Sequence, residues 1–245
     1  MNMNGQHEPI RLIELFSGIG CQAMALKRLG VDFTHWRAVD NDKFAVASYN
    51  AIHGTRFKPT DIKGLKGEDL GIEGTDSHFY VMCYSFPCQD LSVAGKRKGM
   101  TEDSGTRSSL LWEVRRLLTE CRELPQALVM ENVPAVHNRN NIKEFQKWLM
   151  FLEGLGYSTC VKDLDASGFG VPQSRVRCFA VSFLGCGSGF GFPKPFPLGR
   201  TIADLLEPEP DERYYIDSER ADRLVSQLID GGKLPYTKEA EGGEA

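Results

Sequence analysis

Strand-length apolar runs alternate with segments of helical period along this chain. That alternation restricts it to a mostly parallel sheet with helices on its faces. Ile10 to Phe16 reads as a first strand, followed by the tight turn Ser17-Gly18-Ile19-Gly20. Cys21 to Leu29 carries apolar residues at helical spacing and ends at Gly30, a C-cap candidate. His35 to Val39 reads as a short second strand closing on Asp40-Asn41-Asp42, and Lys43 to Ile52 as a helix broken by Gly54. Phe79 to Cys83 and Ala127 to Met130 read as buried strands, Ser108 to Arg122 and Ile142 to Leu155 as helices. Tyr157 to Asp163 and Cys178 to Phe183 read as a closing pair of strands. Residues 58–77 read mostly as connection, with room for one short helical turn.

The 245 residues suit one large α/β domain, or one domain with an appendage. Hydrophobic residues make up 41% and charged residues 25%, which excludes a disordered chain and supplies a substantial core. Beyond Leu184 the composition shifts: Gly185 to Gly199 is dense in Gly, Pro and Phe. The expected organisation is a domain over residues 1–184 and a linker with a C-terminal arm over 185–245. Within the arm, Thr201 to Leu206 and Ser218 to Ile229 are candidate short helices.

Seven cysteines, an odd number, show no CxxC pair and no His/Cys cluster at zinc spacing. Reduced thiols, a cytoplasmic setting and no metal are the expectation. Met1 to Pro9 is polar and shows no secretory signal, and no stretch approaches the ~20 apolar residues of a membrane span. The net charge of −4 argues against this chain gripping a nucleic-acid backbone by itself, although Lys96-Arg97-Lys98 is locally basic.

The run Tyr84-Ser85-Phe86-Pro87-Cys88-Gln89 places a thiol at the exit of a sheet strand, where α/β enzymes put their chemistry. Pro87 rigidifies the approach to Cys88. Such a thiol is a nucleophile if a neighbour favours the thiolate, and a structural cysteine otherwise. The turn Phe16-Ser17-Gly18-Ile19-Gly20 lacks the full GxGxxG; it allows close approach of a cofactor or is an ordinary strand-to-helix turn. Asp40 ends the second strand about 20 residues on, where an acid accepts hydrogen bonds from ribose hydroxyls. Asp61 is either a contact to a base or amino group or a solvated loop acid. No Walker loop is present. Glu131 is a functional acid or the N-terminal partner of a following helix. Arg175 and Arg177, two apart, share one face of a strand; they form surface ion pairs or bind a phosphate or base oxygen.

Together these segments resemble the cytosine-5 DNA methyltransferase family. In family order the resemblance takes in Glu14 to Gly20, Asp40-Asn41-Asp42 and Asp61-Ile62. Phe86-Pro87-Cys88-Gln89 with Gly95-Lys96 and Arg107 to Glu113 come next, then Glu131-Asn132-Val133, and finally Gln173 to Arg177. The resemblance covers Arg11 to about Phe183 and continues more weakly to Asp217. It implies a Rossmann-like S-adenosylmethionine-dependent methyltransferase fold. The cofactor site it implies takes in Phe16, Ser17, Gly18, Ile19, Gly20, Asp40, Asn41, Asp61, Ile62 and Pro87. The implied catalytic groups are Cys88 as nucleophile, Glu131 against the base, Arg177 at the carbonyl oxygen of position 2 and Arg175 in support. The loop from Ser92 to Gly105 would be the lid over a flipped base, and DNA the substrate in a restriction–modification setting.

The family normally continues into a variable target-recognition region and a closing Gly-Asn motif, neither of which is found here. The resemblance therefore implies one subunit of a split enzyme, with a second chain supplying recognition. The alternatives are an RNA cytosine-5 methyltransferase on the same scaffold, or an inactive fragment that binds the cofactor or a partner.

Overall fold

Six strands form one sheet in the order β2-β1-β3-β4-β6-β5: β1 Ile10–Leu15, β2 Phe33–Val39, β3 Tyr80–Tyr84, β4 Ala127–Asn132, β5 Tyr157–Asp165 and β6 Val176–Leu184. The first four run parallel, and β6 runs antiparallel between β4 and β5. The structure is a computed structural model that describes residues 9–91, 99–102, 104–185, 189–214, 216 and 218–232. The five α-helices among the described residues are α1 Cys21–Arg28, α2 Lys43–His53, α3 Leu111–Glu120, α4 Ile142–Gly154 and α5 Glu219–Asp230. Of the loop from Ser92 to Gly105 that was expected to be a lid, residues 92–98, which carry Lys96, Arg97 and Lys98, and residue 103 lie outside the described residues.

Alternation along β1 sends its side chains to two faces. Ile13 and Leu15 join the larger core cluster with Met82, Leu128, Leu117 and Trp148. Leu12 joins Ala23 and Cys83 in a smaller cluster on the opposite face. The larger core buries Val114, Leu117 and Leu118 of α3, spaced i, i+3, i+4, and Phe145, Trp148 and Leu152 of α4, spaced i, i+3, i+7, as in an amphipathic helix. Truncating such a fully buried leucine to alanine costs about 2–5 kcal/mol. The Trp148 indole, wholly buried, donates to the Tyr84 hydroxyl at 3.2 Å. Helices on both faces match the expected fold class.

Local chemistry sets several boundaries. Asp42 caps α2 by accepting from the Phe44 amide at 2.8 Å, and Gly54 closes it in the left-handed region. Strand β1 stops at Leu15 because Phe16 has φ +57°, the one positive φ of a non-glycine among the described residues. Residues 58–77 contain two single tighter turns, Ile62–Gly64 and Gly67–Leu70. The helix expected over Ser108 to Arg122 is shorter: Thr106 caps a tight turn over Arg107–Leu110, and Cys121 is already extended. Thr201 to Leu206 holds only the turn Ala203–Leu205.

One boundary bears on the site. Glu131 and Asn132 belong to β4 rather than following it, because the ladder with β6 continues to Asn132 opposite Cys178. Glu131 therefore does not serve the next helical turn, whose cap is Val133.

The chain divides into two units, Met1–Arg200 and Thr201–Ala245. Within the first, Phe190 packs against Phe183, and the Phe196 amide donates to Gly168 at 2.9 Å. In the second, α5 begins at a Ser218 cap and buries none of its residues. No helix among the described residues is long and apolar enough to cross a membrane.

Candidate active site

Parallel strands bring all their C-terminal ends to one edge of the sheet, and an antiparallel neighbour begins there. At that edge lies a cavity of about 570 Å³. Phe16 reaches it from the end of β1, Asp40 and Asn41 from β2, Pro87 and Cys88 from β3, and Glu131 from β4. Arg175 and Arg177 come from the start of β6, and Asp61 and Ile62 from the tight turn beyond α2. Of the residues expected at the site, Ser17, Gly18, Ile19 and Gly20 do not line this cavity. They form the turn that follows Phe16 and leads into α1.

That turn is held from two sides. The Gly18 amide donates to Asp40 Oδ2 at 2.9 Å, and Asp40 Oδ1 accepts from the Asp42 amide at 2.9 Å. His53 Nε2 stands 3.0 Å from the Ile19 carbonyl oxygen. Gly20, at φ +80°, lies so close to α2 that a Cβ there would come within 2.3 Å of His53 Nε2. Ser17 Oγ is buried without a hydrogen-bond partner. An orphaned hydroxyl beside a glycine turn, with Asp40 and Asp61 on the cavity wall, is a donor and acceptor set that fits an amino-acid-bearing nucleoside. Asp61 also accepts from the Lys63 amide at 3.0 Å.

The loop carrying the thiol is tied at each residue before it. Asn132 Nδ2 donates to the Phe86 carbonyl at 2.9 Å, and Ser108 Oγ donates to the Pro87 carbonyl at 2.7 Å. Asp90 Oδ2 accepts from the Arg107 amide at 2.8 Å. Cys88 is half-buried and faces the cavity. Cys83, five residues earlier, is buried on the sheet, where desolvation pushes its thiol far up and leaves it inert. The two neighbouring cysteines thus separate into one structural thiol and one accessible thiol.

Glu131 and Arg177 form an ion pair, Arg177 Nε to Glu131 Oε1 at 3.0 Å. Arg177 also donates through Nη1 to the Val176 carbonyl at 2.8 Å. Arg175 is exposed and precedes β6, with its amide held by Asp165 Oδ1 at 2.9 Å. Both arginines line the cavity, but only Arg177 meets the glutamate. Sequence reading missed Asn132 and Ser108 as supports of the thiol loop. Asn132 was visible as part of Glu131-Asn132-Val133, but nothing local showed that its amide reaches a carbonyl 46 residues away.

Another fully enclosed acid sits behind the turn. Glu14 is 1% exposed, accepts from Tyr49 Oη at 2.6 Å and from the Ala23 amide at 3.3 Å, and burial raises its carboxyl above the usual range. Tyr49 Oη in turn meets His35 Nδ1 at 2.8 Å. This network fixes α1 and α2 around the glycine turn.

The family model for C-5 cytosine-specific DNA methylases matches residues 10–227. The type II methyltransferase M2.ScrFI of Lactococcus lactis subsp. cremoris is 42% identical over 84% of this chain and 70% of its own length. The type II methyltransferase M.NlaX of Neisseria lactamica is 32% identical over 84% of this chain and 62% of its own length. The crystal structure of the S. pombe Dnmt2 methyltransferase superposes with a TM-score of 0.68 at 24% identity, covering 92% of this chain and 66% of that one. That likeness speaks for the fold alone. The chain spans about two thirds of the length of each protein it matches here. With the family model matched over most of its length, the chain belongs to the C-5 cytosine-specific DNA methylase family of enzymes.

Proposed function

We propose that this chain transfers a methyl group from S-adenosylmethionine to carbon 5 of cytosine in DNA. The observation that carries the reading is the convergence of Cys88, Glu131 and Arg177 on the same cavity as Asp40 and Asp61. In this reading Ser17, Gly18 and Asp40 hold the amino-acid and ribose parts of the cofactor, and Asp61 its base. Phe16, Asn41, Ile62 and Pro87 shape the surrounding walls, and Ile19 and Gly20 complete the turn that carries Ser17 and Gly18. The cofactor supplies an electrophilic methyl group.

Carbon 5 of cytosine is a poor nucleophile. The Cys88 thiolate adds to carbon 6, which turns carbon 5 into an enamine carbon. Glu131 hydrogen-bonds ring nitrogen 3 and the exocyclic amine, where electron density rises on addition. Arg177 orients Glu131 and binds the carbonyl oxygen at position 2, and Arg175 supports that side of the base. Loss of the carbon 5 proton then expels Cys88. The base must leave the duplex to enter the cavity.

We further propose that a second chain supplies target recognition, with residues 1–184 holding the catalytic and cofactor groups and 185–245 forming an arm. The net charge of −4 supports this. Partly buried Leu26, Val81 and Val129 around the small cluster beside β1 and α1 offer that chain an apolar face.

The test is transfer of labelled methyl to DNA by the purified chain, alone and with partner fractions, in the wild type and in Cys88→Ala. Trapping by a 5-fluorocytosine oligonucleotide should give a covalent complex in the wild type only. Turnover retained by Cys88→Ala would sink the covalent mechanism.

A further inference from the structure

We propose that His137, Asp163 and Cys178 bind one zinc ion on the side of the sheet opposite the Glu131–Arg177 pair. Their ligand atoms all lie within 4.8 Å of one another. They come from three elements: His137 ends the tight turn after β4, Asp163 lies on β5 and Cys178 on β6. Asp163 and Cys178 are direct cross-strand partners, and Cys178 faces Asn132 on the other side. Glu131 and Arg177 are the chain neighbours of Asn132 and Cys178. Strand alternation therefore puts the two clusters back to back, one on each face.

The donor set selects the ion. A thiolate with an imidazole suits zinc, and a carboxylate completes three protein ligands, whereas calcium and magnesium take oxygen only. His137 Nε2 already points at Asp163, 3.0 and 3.1 Å from the two carboxylate oxygens. Tetrahedral zinc at about 2.0–2.3 Å from each ligand needs the ligand atoms about 3.5 Å apart, so separations of up to 4.8 Å must close by about 1.3 Å at most. Cys178 is fully buried, while the His137 and Asp163 side chains are 36% and 35% exposed. That leaves a way in for the ion and room for water at the fourth position. On binding, the Cys178 S–H bond breaks, its proton leaves to solvent and an S–Zn bond forms, with no change of oxidation state.

Such a clip would join the turn that follows Glu131 to the hairpin that carries Arg177. Its role is to hold the frame of the site rather than to touch the substrate. It stands apart from the methyl-transfer reading, and its test does not measure turnover.

The test titrates the reduced, chelator-treated full chain with Co²⁺, then with Zn²⁺. One equivalent of Co²⁺ should produce thiolate-to-cobalt charge-transfer absorption, which Zn²⁺ abolishes by displacement. Cys178→Ala should lose the band, and His137→Ala and Asp163→Asn should weaken binding roughly tenfold or more. Cys88→Ala and Cys160→Ala should keep it. A wild type without the band overturns the site, as does a band that survives in Cys178→Ala or disappears in both control variants. If Cys178→Ala does not fold, His137→Ala decides: wild-type affinity there overturns the proposal.

Discussion

Arg177 Nε stands 3.0 Å from Glu131 Oε1 across neighbouring antiparallel strands, at the edge where the cavity opens. Their side chains are 22% and 26% exposed, so the pair contributes only about 1 kcal/mol to stability. Its larger effect is to fix the direction of the carboxylate. Arg177→Ala should lower kcat by about 10²–10³-fold, the cost of removing one preorganised polar contact. The melting temperature should fall by only a few degrees. Arg177→Lys should not restore the rate, because an ammonium cannot reproduce the planar fork. Steady-state kinetics beside thermal unfolding checks this; a large stability loss with an unchanged rate would assign the pair to the frame.

Asn132 acts on Cys88 through the backbone. At 2% exposure it donates to the Phe86 carbonyl and accepts from the Val133 amide at 2.8 Å. Asn132→Ala removes the partner of both groups, and leaving the buried Phe86 carbonyl unmet costs about 1–3 kcal/mol. Urea unfolding should show that loss. Single-turnover methylation should slow more than DNA binding weakens, and Asn132→Asp should not rescue, because it sets a second acceptor against the Phe86 carbonyl.

Gly20 is required for two reasons at once. Its φ of +80° is costly for a residue with a side chain, by roughly 1–2 kcal/mol. A Cβ would also meet His53 Nε2 at 2.3 Å and Tyr49 Cε2 at 2.7 Å. Gly20→Ala should reduce both the unfolding free energy and the affinity for S-adenosylmethionine measured by calorimetry. Adding His53→Ala should recover part of the loss, since the Tyr49 contact remains.

Glu14 makes stability depend on pH in a stated direction. Burial raises its folded-state pKa above the ordinary 4.5, the Tyr49 and Ala23 hydrogen bonds opposing only part of that. Between the two values the folded state holds the proton more tightly than the unfolded state. Stability contributed here is therefore full below about 4.5 and falls as pH rises through the folded-state value. Glu14→Gln should lack that fall. Urea unfolding from pH 4 upward, compared between the two proteins, checks it; parallel profiles would contradict the argument.

Period and local chemistry carried the architecture. The alternation of apolar runs at period 2 and near 3.6 located the strands and helices to within a few residues. The Asp42 cap and the Gly54 stop are short-range signals of the same kind. Cys88, Asp40 and Glu131 were legible because each stands at or near the end of an apolar strand. Two placements needed more than local pattern. Strand β4 runs two residues further than its apolar run because β6 pairs with it as far as Asn132. Likewise, the helix read over Ser108 to Arg122 begins as a tight turn capped by Thr106.

The sequence by itself determined which residues face inward, where the chain turns and which side chains stand at strand ends, since these follow from the backbone's own period and from neighbours a few residues away. Only the tertiary structure decided that β6 enters antiparallel between β4 and β5. That choice sets Arg177 against Glu131 and Cys178 between Asn132 and Asp163. His137 and Asp163 meet across 26 residues, and Asn132 and Phe86 across 46. Contacts at such separations depend on strand order and register, which the packing of the whole core selects and no local period encodes.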